Sequence, residues 1–511
     1  MFTNLLDKLT LKVSNFILQG IQSRITDKEF LEKEIQKWES SPKRIMQIKG
    51  FLYYGGDHDI LTRKRTMIGE DGELQEVNNL PNNHIIDNQY GKLVNQKTNY
   101  LLGHPVTIHG DNEQYVELLQ KEVFNRSFHR TLKNCGKASY NGGIAWLYPY
   151  YTEEGKFTFQ MFPAYEILPF WKDSEHTTLD FFIRMYLVIG YQGTMPELIK
   201  KVEVYDLDGV HRFIYDHGSL IPDIVNGEAD VPHVTMIDGE GNVTGFNWSR
   251  IPLIPVKCNN DEIPLLKRVK SLQDGINVML SDFENNMQED ARNTILVLKN
   301  YDGTNLGEFR RNLATYGAVK VRNDDTAKGG LETLEITVNA DNYKAIVEIF
   351  KKALIENGMG YDAKDDRLSG NPNQMNIQSM YCDIDNDADD TETEFQAAFD
   401  DILWFVNAHL ANTGKGDFEN EEVEIIFNRD VLVNESETID NCQKSMDILS
   451  LETVLSMHPW VDDVQEELDR LEEQKQKEQE ELEKQYNPFM PGQNIPPDGN
   501  KDGDLNGENQ Q

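Results

Sequence analysis

The sequence predicts an α+β protein of several parts, and three observations predict it. Helical periodicity dominates both ends of the chain. Short apolar runs separated by glycine and charged turns fill residues 144–256. Between these regions Leu266, Val269, Leu272, Ile276, Leu280, Phe283 and Met287 recur at gaps of three and four, which places them on one side of a single long helix. A chain of 511 residues is long enough for roughly two to four domains, and 39% apolar residues suffice for real cores.

The elements follow in order. Residues 1–50 read as helices broken at Ser40-Ser41-Pro42. The first twenty residues have no clean apolar core followed by a small-residue cleavage site, so they read as an amphipathic helix, not a signal peptide. Tyr53-Tyr54-Gly55-Gly56 leads into a basic stretch with Arg63, Lys64 and Arg65. Residues 69–80 are polar and acidic and read as a mobile loop. Ile85, Ile86, Tyr90, Leu93, Val94, Lys97 and Leu101 have helical spacing, with Gly103 as the cap and Pro105 as the stop. A helix over 112–139 follows, then Asn141-Gly142-Gly143 turns into the β-rich run. Residues 1–256 read as one α+β domain.

After the long helix, residues 292–338 form a small insert. It has strands at 294–298, 318–321 and 331–338 and a short helix at 306–316. It is too small to be robust alone. A second helix runs from Ala340 to Asn357 with Tyr343, Ile346, Val347, Phe350 and Leu354 in its stripe. Two helices therefore flank the insert, which should sit at their far end. Residues 358–374 hold glycine, proline and mixed charge and read as a flexible loop. A third long helix runs from Met375 to His409, and a strand covers 423–427. A helix at 436–457, opened by Ser436 and ended by Pro459, and a charged helix at 461–485 come next. Residues 487–511 read as a disordered tail.

Composition excludes several functions. The net charge is −37, and the residues from Met375 onward hold 35 acidic and 8 basic side chains. Such a chain repels nucleic acid on average instead of gripping it. Four scattered cysteines with no CxxC pair argue for a reducing compartment and against a zinc or disulfide scaffold. No run approaches the length of a membrane span. There is no GxxxxGK[ST] loop and no HExxH, so nucleotide hydrolysis and zinc chemistry have no carrier here.

Asp383, Asp385, Asp387 and Glu394 imitate positions 1, 3, 5 and 12 of a calcium loop. However, Ala388 stands where that loop turns on glycine, and Asp390 stands where it is apolar. A solvated acidic helix is the preferred reading, with an acidic metal-binding assembly scaffold as the alternative. A two-metal nuclease needs carboxylates from separate elements, and these are contiguous. The helix at 461–485 lacks a sustained apolar seam for a coiled coil. His58, His104 and His233 read as structural or exposed, and Trp146 and Trp171 as core.

Three segments carry a family resemblance: YYGGDHDILTRKR at 53–65, NNHIIDNQYGKLVNQKTNYLLGHPV at 82–106, and IPLIPVKCNNDE leading into LQDGINVMLSDFENNMQEDARNTILVL, within 251–298. With Leu368-Ser369-Gly370 before the third helix, they occur in the order found in portal proteins of tailed double-stranded DNA bacteriophages of the long non-contractile-tail type. The chain resembles that family over about 1–410. It departs at Asn371-Pro372-Asn373-Gln374-Met375, where the family has small and apolar residues.

The resemblance implies a non-enzymatic homo-oligomer of about twelve subunits closed into a ring at one capsid vertex. It needs no cofactor and no membrane. It implies a wing at 1–256, stem helices at 257–291 and 339–357, and a clip at 292–338. A tunnel loop at 358–374, a channel helix at 375–412, a crown at 413–486 and the tail complete the chain. Implied partners are double-stranded DNA in the channel, the terminase large subunit, a head-completion or adaptor protein, and the scaffold and major capsid proteins. Stem packing falls to Leu266, Val269, Ile276, Leu280, Phe283 and Phe350. DNA contact falls to Lys364, Asp365, Asp366 and Arg367. An acidic wall falls to Asp383, Asp385, Asp387 and Asp389. Partner contacts at the clip fall to Arg310, Arg311, Lys320 and Arg322. Twelve helices spaced ~9 Å apart enclose a circle ~34 Å across, or ~24 Å clear after one helix width, which passes a duplex of roughly 20 Å.

Overall fold

The computed structural model describes residues 27–68, 72–77, 80–192, 195–224, 227–237, 243–290, 295–299, 305, 307, 315, 321–322, 330–334, 340–364, 373–429, 435–461 and 464–486. It divides into two compact units, Met1–Asp365 with Gln378–Val431, and Asp366–Ile377 with Leu432–Gln511. Helices and strands mix as an α+β chain should.

The first unit opens with α1 (Lys28–Glu39) and α2 (Pro42–Gly55). The Ser41 side chain accepts from the Arg44 N–H and Pro42 takes the first turn, so the predicted break is a cap. Next come β1 (Thr66–Ile68) and β2 (Leu74–Glu76), paired antiparallel. A hairpin thus occupies part of the stretch expected as a loop, because Leu74 to Glu76 can pair back onto Thr66 to Ile68.

Helix α3 (Gln89–Leu102) is opened by Asn88, whose side chain accepts from the Gly91 N–H. Gly103 is its C-cap, as expected, with φ −67° in the right-handed region. After β3 (Thr107–Gly110), the helix expected at 112–139 is two, α4 (Glu113–Glu122) and α5 (Arg126–Gly142). Asn125 breaks it: its side chain accepts from the N–H groups of Ser127 and Phe128 and caps α5.

β4 (Ile144–Tyr151), β5 (Phe157–Pro163) and the later β14 form one antiparallel sheet with β4 central. β6 (Ile167–Trp171), β7 (Leu179–Gln192), β8 (Met195–Tyr205), β9 (Val210–Asp216) and β10 (Ser219–Pro222) make an antiparallel meander. β11 (Asp230–Val231) pairs with β9, and β12 (Val234–Ile237) pairs with β13 (Val243–Phe246). β14 is Ile254–Lys257. Trp146 and Trp171 lie in the core with ring centroids 5.8 Å apart, as expected.

Then come α6 (Leu266–Asp290), β15 (Ile295–Lys299), β16 (Gly330–Leu334), α7 (Ala340–Asn357), α8 (Gln374–Asn412) and β17 (Val423–Ile426). β15 and β16 pair antiparallel between the two helices. β17 pairs with β3, Ile425 opposite Ile108, tying late chain to early chain. Phe395, Phe399, Ile402, Val406 and Leu410 of α8 share one core with Phe128 and Leu132 of α5 and Phe157 and Phe159 of β5. Each such phenylalanine stabilises by about 1.5–3 kcal/mol.

The second unit holds α9 (Glu435–Ser445), α10 (Leu451–Ser456) and α11 (Val464–Tyr486). The helix expected at 436–457 is therefore broken. Ser450, not Ser436, is the residue that caps, accepting from the Thr453 N–H at 3.3 Å. Cys442 and Val454 are buried, with the Cys442 thiol against the Val454 carbonyl.

Candidate functional site

Helices α6 and α7 run antiparallel. The Phe283 and Tyr343 rings are 5.2 Å apart, Asn286 donates to the Tyr343 hydroxyl at 3.0 Å, and Phe350 lies against Gly275. A Cβ at Gly275 would sit 2.8 Å from the Phe350 ring, so glycine is what lets the helices approach. The apolar stripe of α6 is consumed inside the subunit. Leu266, Val269 and Ile276 are fully buried with Tyr53, Tyr90, Leu93 and Leu354, and Leu280 and Phe350 pack on that cluster. Leu266, Val269 and Ile276 therefore face the subunit's own core and not a neighbour. Instead Met287, Ile346 and Ile349 are exposed, Ile349 at 63%.

Beside the stripe lies a feature that the periodicity did not reveal. Gln273, Asn277, Ser281 and Asn285 recur every four residues along α6, and all are buried. They hold the extended segment before α3 by its backbone. Asn285 Oδ1 accepts from the Asn83 N–H at 2.7 Å, Ser281 Oγ from Ile85 at 2.9 Å, and Asn277 Oδ1 from Asp87 at 3.1 Å. Gln273 accepts from the Tyr90 N–H at 2.9 Å and donates to the Asp87 carbonyl at 2.8 Å. Four helical residues rise about 6 Å and two extended residues about 6.6 Å, so the two repeats stay nearly in register. Asn277 also donates to His58 Nδ1, and His58 Nε2 then donates to the Tyr53 carbonyl. That tautomer is neutral, and burial pushes the His58 pKa down.

The root of the predicted tunnel loop is fixed to α3. Gln96 donates to the Tyr361 carbonyl at 2.8 Å and accepts from its N–H at 3.2 Å. A Cβ at Gly358 or Gly360 would fall 2.3 or 2.5 Å from Leu93. Lys97, read as part of an apolar stripe, is fully buried; its ammonium donates to the Met359 carbonyl at 3.0 Å and lies 2.6 Å from Asp387 Oδ2. Tyr140 donates to the same Asp387 oxygen at 3.2 Å. Burial pushes the Lys97 pKa down and Asp387 opposes it. Lys364 is exposed beyond this root, its N–H bonded to Asp362. Asp365, Asp366 and Arg367 lie outside the described residues.

The four acidic residues expected on one wall of α8 do different things. Asp387 is buried on Lys97, so it is withdrawn from any wall. Asp385 accepts from the Tyr100 hydroxyl. Asp389 pairs with Arg429 at 2.7 Å and stays exposed; Asp383 is exposed too, with no such pair among the described residues. The stretch is helix throughout, with Asp385, Asp387 and Asp389 turned to separate partners, so it does not form a calcium loop. Arg322 is exposed, whereas Arg310, Arg311 and Lys320 lie outside the described residues. Among the described residues no helix is long and apolar enough to cross a membrane.

The antiparallel helices α6 and α7, with the paired strands β15 and β16 between them in sequence, precede the 39-residue helix α8. Comparison with known proteins shows the class to which the chain belongs. The family described as "Phage portal protein, SPP1 Gp6-like" matches residues 31–481. The portal protein of Bacillus phage SPP1 is 32% identical over 443 residues, covering 84% of this chain and 83% of that one. The portal protein of Clostridium phage phiCD119 is 25% identical over 456 residues, covering 88% and 96%. The chain belongs to this family of bacteriophage portal proteins, structural proteins with roles at the capsid vertex and in DNA packaging.

Proposed function

We propose that the chain closes into a ring of about twelve copies, through which duplex DNA enters during packaging and leaves during infection. The observation that carries this reading is the antiparallel pair α6 and α7 with an exposed apolar strip, Met287, Ile346 and Ile349, left over after the subunit's own core is filled. Repeated about an axis, those strips face neighbouring stems and the bore lies inside them. In this reading 1–256 is the wing, 257–291 and 339–357 the stem, and 292–338 the clip. The clip docks the terminase large subunit and later a head-completion or adaptor protein, with Arg310, Arg311, Lys320 and Arg322 as contacts. Residues 413–486 form the crown, and the wing meets scaffold and major capsid proteins.

The bore must pass its cargo without holding it. Asp383 and Asp389 supply negative charge, which prevents the counterion release that would make a groove grip DNA. Lys364 and Arg367 give brief phosphate contacts, offset by Asp365 and Asp366. Procapsids assembled with Lys364→Glu/Arg367→Glu subunits test this assignment. They should package more slowly or stop short, and full-length packaging at the wild-type rate would remove the loop from the mechanism.

A further inference from the structure

The chain has a net charge of −37, yet α5 shows solvent a basic face. Arg126, Arg130, Lys133 and Lys137 stand at steps of four, three and four, which places them on one side of the helix. The opposite side, with Phe128, Leu132 and Cys135, is buried in the main core. Arg126 and Arg130 are exposed, and Lys133 and Lys137 half-buried. Among the described residues none of the four makes an ion pair with a carboxylate. Lys137 lies over the Tyr54 ring at 6.0 Å instead. His129 on the same helix senses the surplus: burial first, then the charges of Lys133 and His104, push its pKa down.

A run of opposite sign with the same spacing lies on α8. Asp383, Asp387, Asp390 and Glu394 also step by four, three and four. Asp387 is turned inward onto Lys97, and the other three pair with no cation among the described residues. Asp383 and Asp390 are exposed. Each run covers about 16 Å of helix axis. Within one molecule the basic side of α5 points away from the core that it shares with α8, so the two runs do not meet. Two different patches that complement each other across copies make a head-to-tail contact, the kind that closes into rings.

The geometry points to the basic face of α5 (Arg126, Arg130, Lys133 and Lys137) as the surface that docks Asp383, Asp390 and Glu394 on α8 of a second copy of this chain. This docking rests on the ring reading and gives it a second interface, electrostatic and separate from the stem. Duplex DNA is the other polyanion that could take such a stripe. It would have to approach a strongly negative protein, whereas Asp383, Asp390 and Glu394 span the same length of helix as the stripe.

The test uses the full chain and measures assembled mass by native mass spectrometry at low and at physiological salt. Arg130→Glu/Lys133→Glu should lower the assembled fraction by about tenfold, and Asp390→Lys/Glu394→Lys should do the same. The four changes together should restore assembly, with melting temperature near wild type in every case. Reversals that leave assembly unchanged, or a combined variant no better than either parent, would overturn the docking. So would loss of duplex DNA binding by Arg130→Glu/Lys133→Glu with rings intact, which would assign the face to DNA. A wild-type chain that forms no ring at all would sink the ring reading itself, a different result from intact rings indifferent to the reversals.

Discussion

Lys97 shows what a single side chain decides in this molecule. It joins α3, α8 and the segment just after α7 through one buried ammonium. Removing it leaves the buried Asp387 carboxylate with Arg268, exposed and 3.8 Å away, as its one cation among the described residues, and breaking a buried pair costs about 3–5 kcal/mol. Lys97→Met should therefore lose about that much in denaturant unfolding, and Lys97→Met/Asp387→Leu should recover most of it. His211 gives a pH signature. Its hydrogen bond to Asp206, against burial, and then Asp230 raise its pKa from 6.5 to about 9. The folded state thus holds this proton more tightly than the unfolded chain does. The resulting stability is fully present below the ordinary histidine value and fades as pH rises through about 9. In His211→Gln, unfolding free energies measured from pH 6 to 9.5 should decline less steeply than in wild type.

At the scale of elements, the polar ladder on α6 makes a strap of residues that belong to no helix or strand. The amides of Asn83, Ile85 and Asp87 should exchange slowly with solvent although they lie in irregular chain. Ser281→Ala should speed exchange at Ile85 and cost about 1–3 kcal/mol, because it leaves a buried donor without a partner. Hydrogen exchange read residue by residue checks both. The same elements show what sequence can and cannot tell. The long helices were legible, since apolar spacing over many turns leaves no other reading. The breaks at Asn125 and Ser450 were not, because a cap depends on a side chain turning back to its own backbone, and the apolar pattern continues across it. The ladder was half visible as amide and hydroxyl residues every four positions. In the segment it holds, Ile85 and Ile86 carry spacing that reads as helix, yet they lie in irregular chain before α3, so nothing nearby in the sequence announced the pairing.

The whole molecule explains why the site residues were harder to read than the fold. The family was legible because its motifs lie in order along most of the chain. Which face of a helix meets solvent, a neighbour or the subunit's own core is a tertiary outcome. Leu266, Val269 and Ile276 illustrate this, since the same stripe would serve an interface or a core and here fills a core. Asp387 illustrates it again, as one carboxylate in an acidic run taken inward by a lysine far away in sequence. The leftover strip of Met287, Ile346 and Ile349 and the charged faces of α5 and α8 are what the subunit keeps for its neighbours in the proposed ring. Ile349→Asp should weaken that ring while leaving the folded subunit intact, a separation visible by sedimentation alongside thermal melting. The most direct measurement is electron cryo-microscopy of the purified full-length protein. The account predicts closed rings of about twelve subunits with a bore wide enough, roughly 20 Å or more, to pass a duplex. Compact single molecules, or rings whose bore is too narrow for double-stranded DNA, would contradict it.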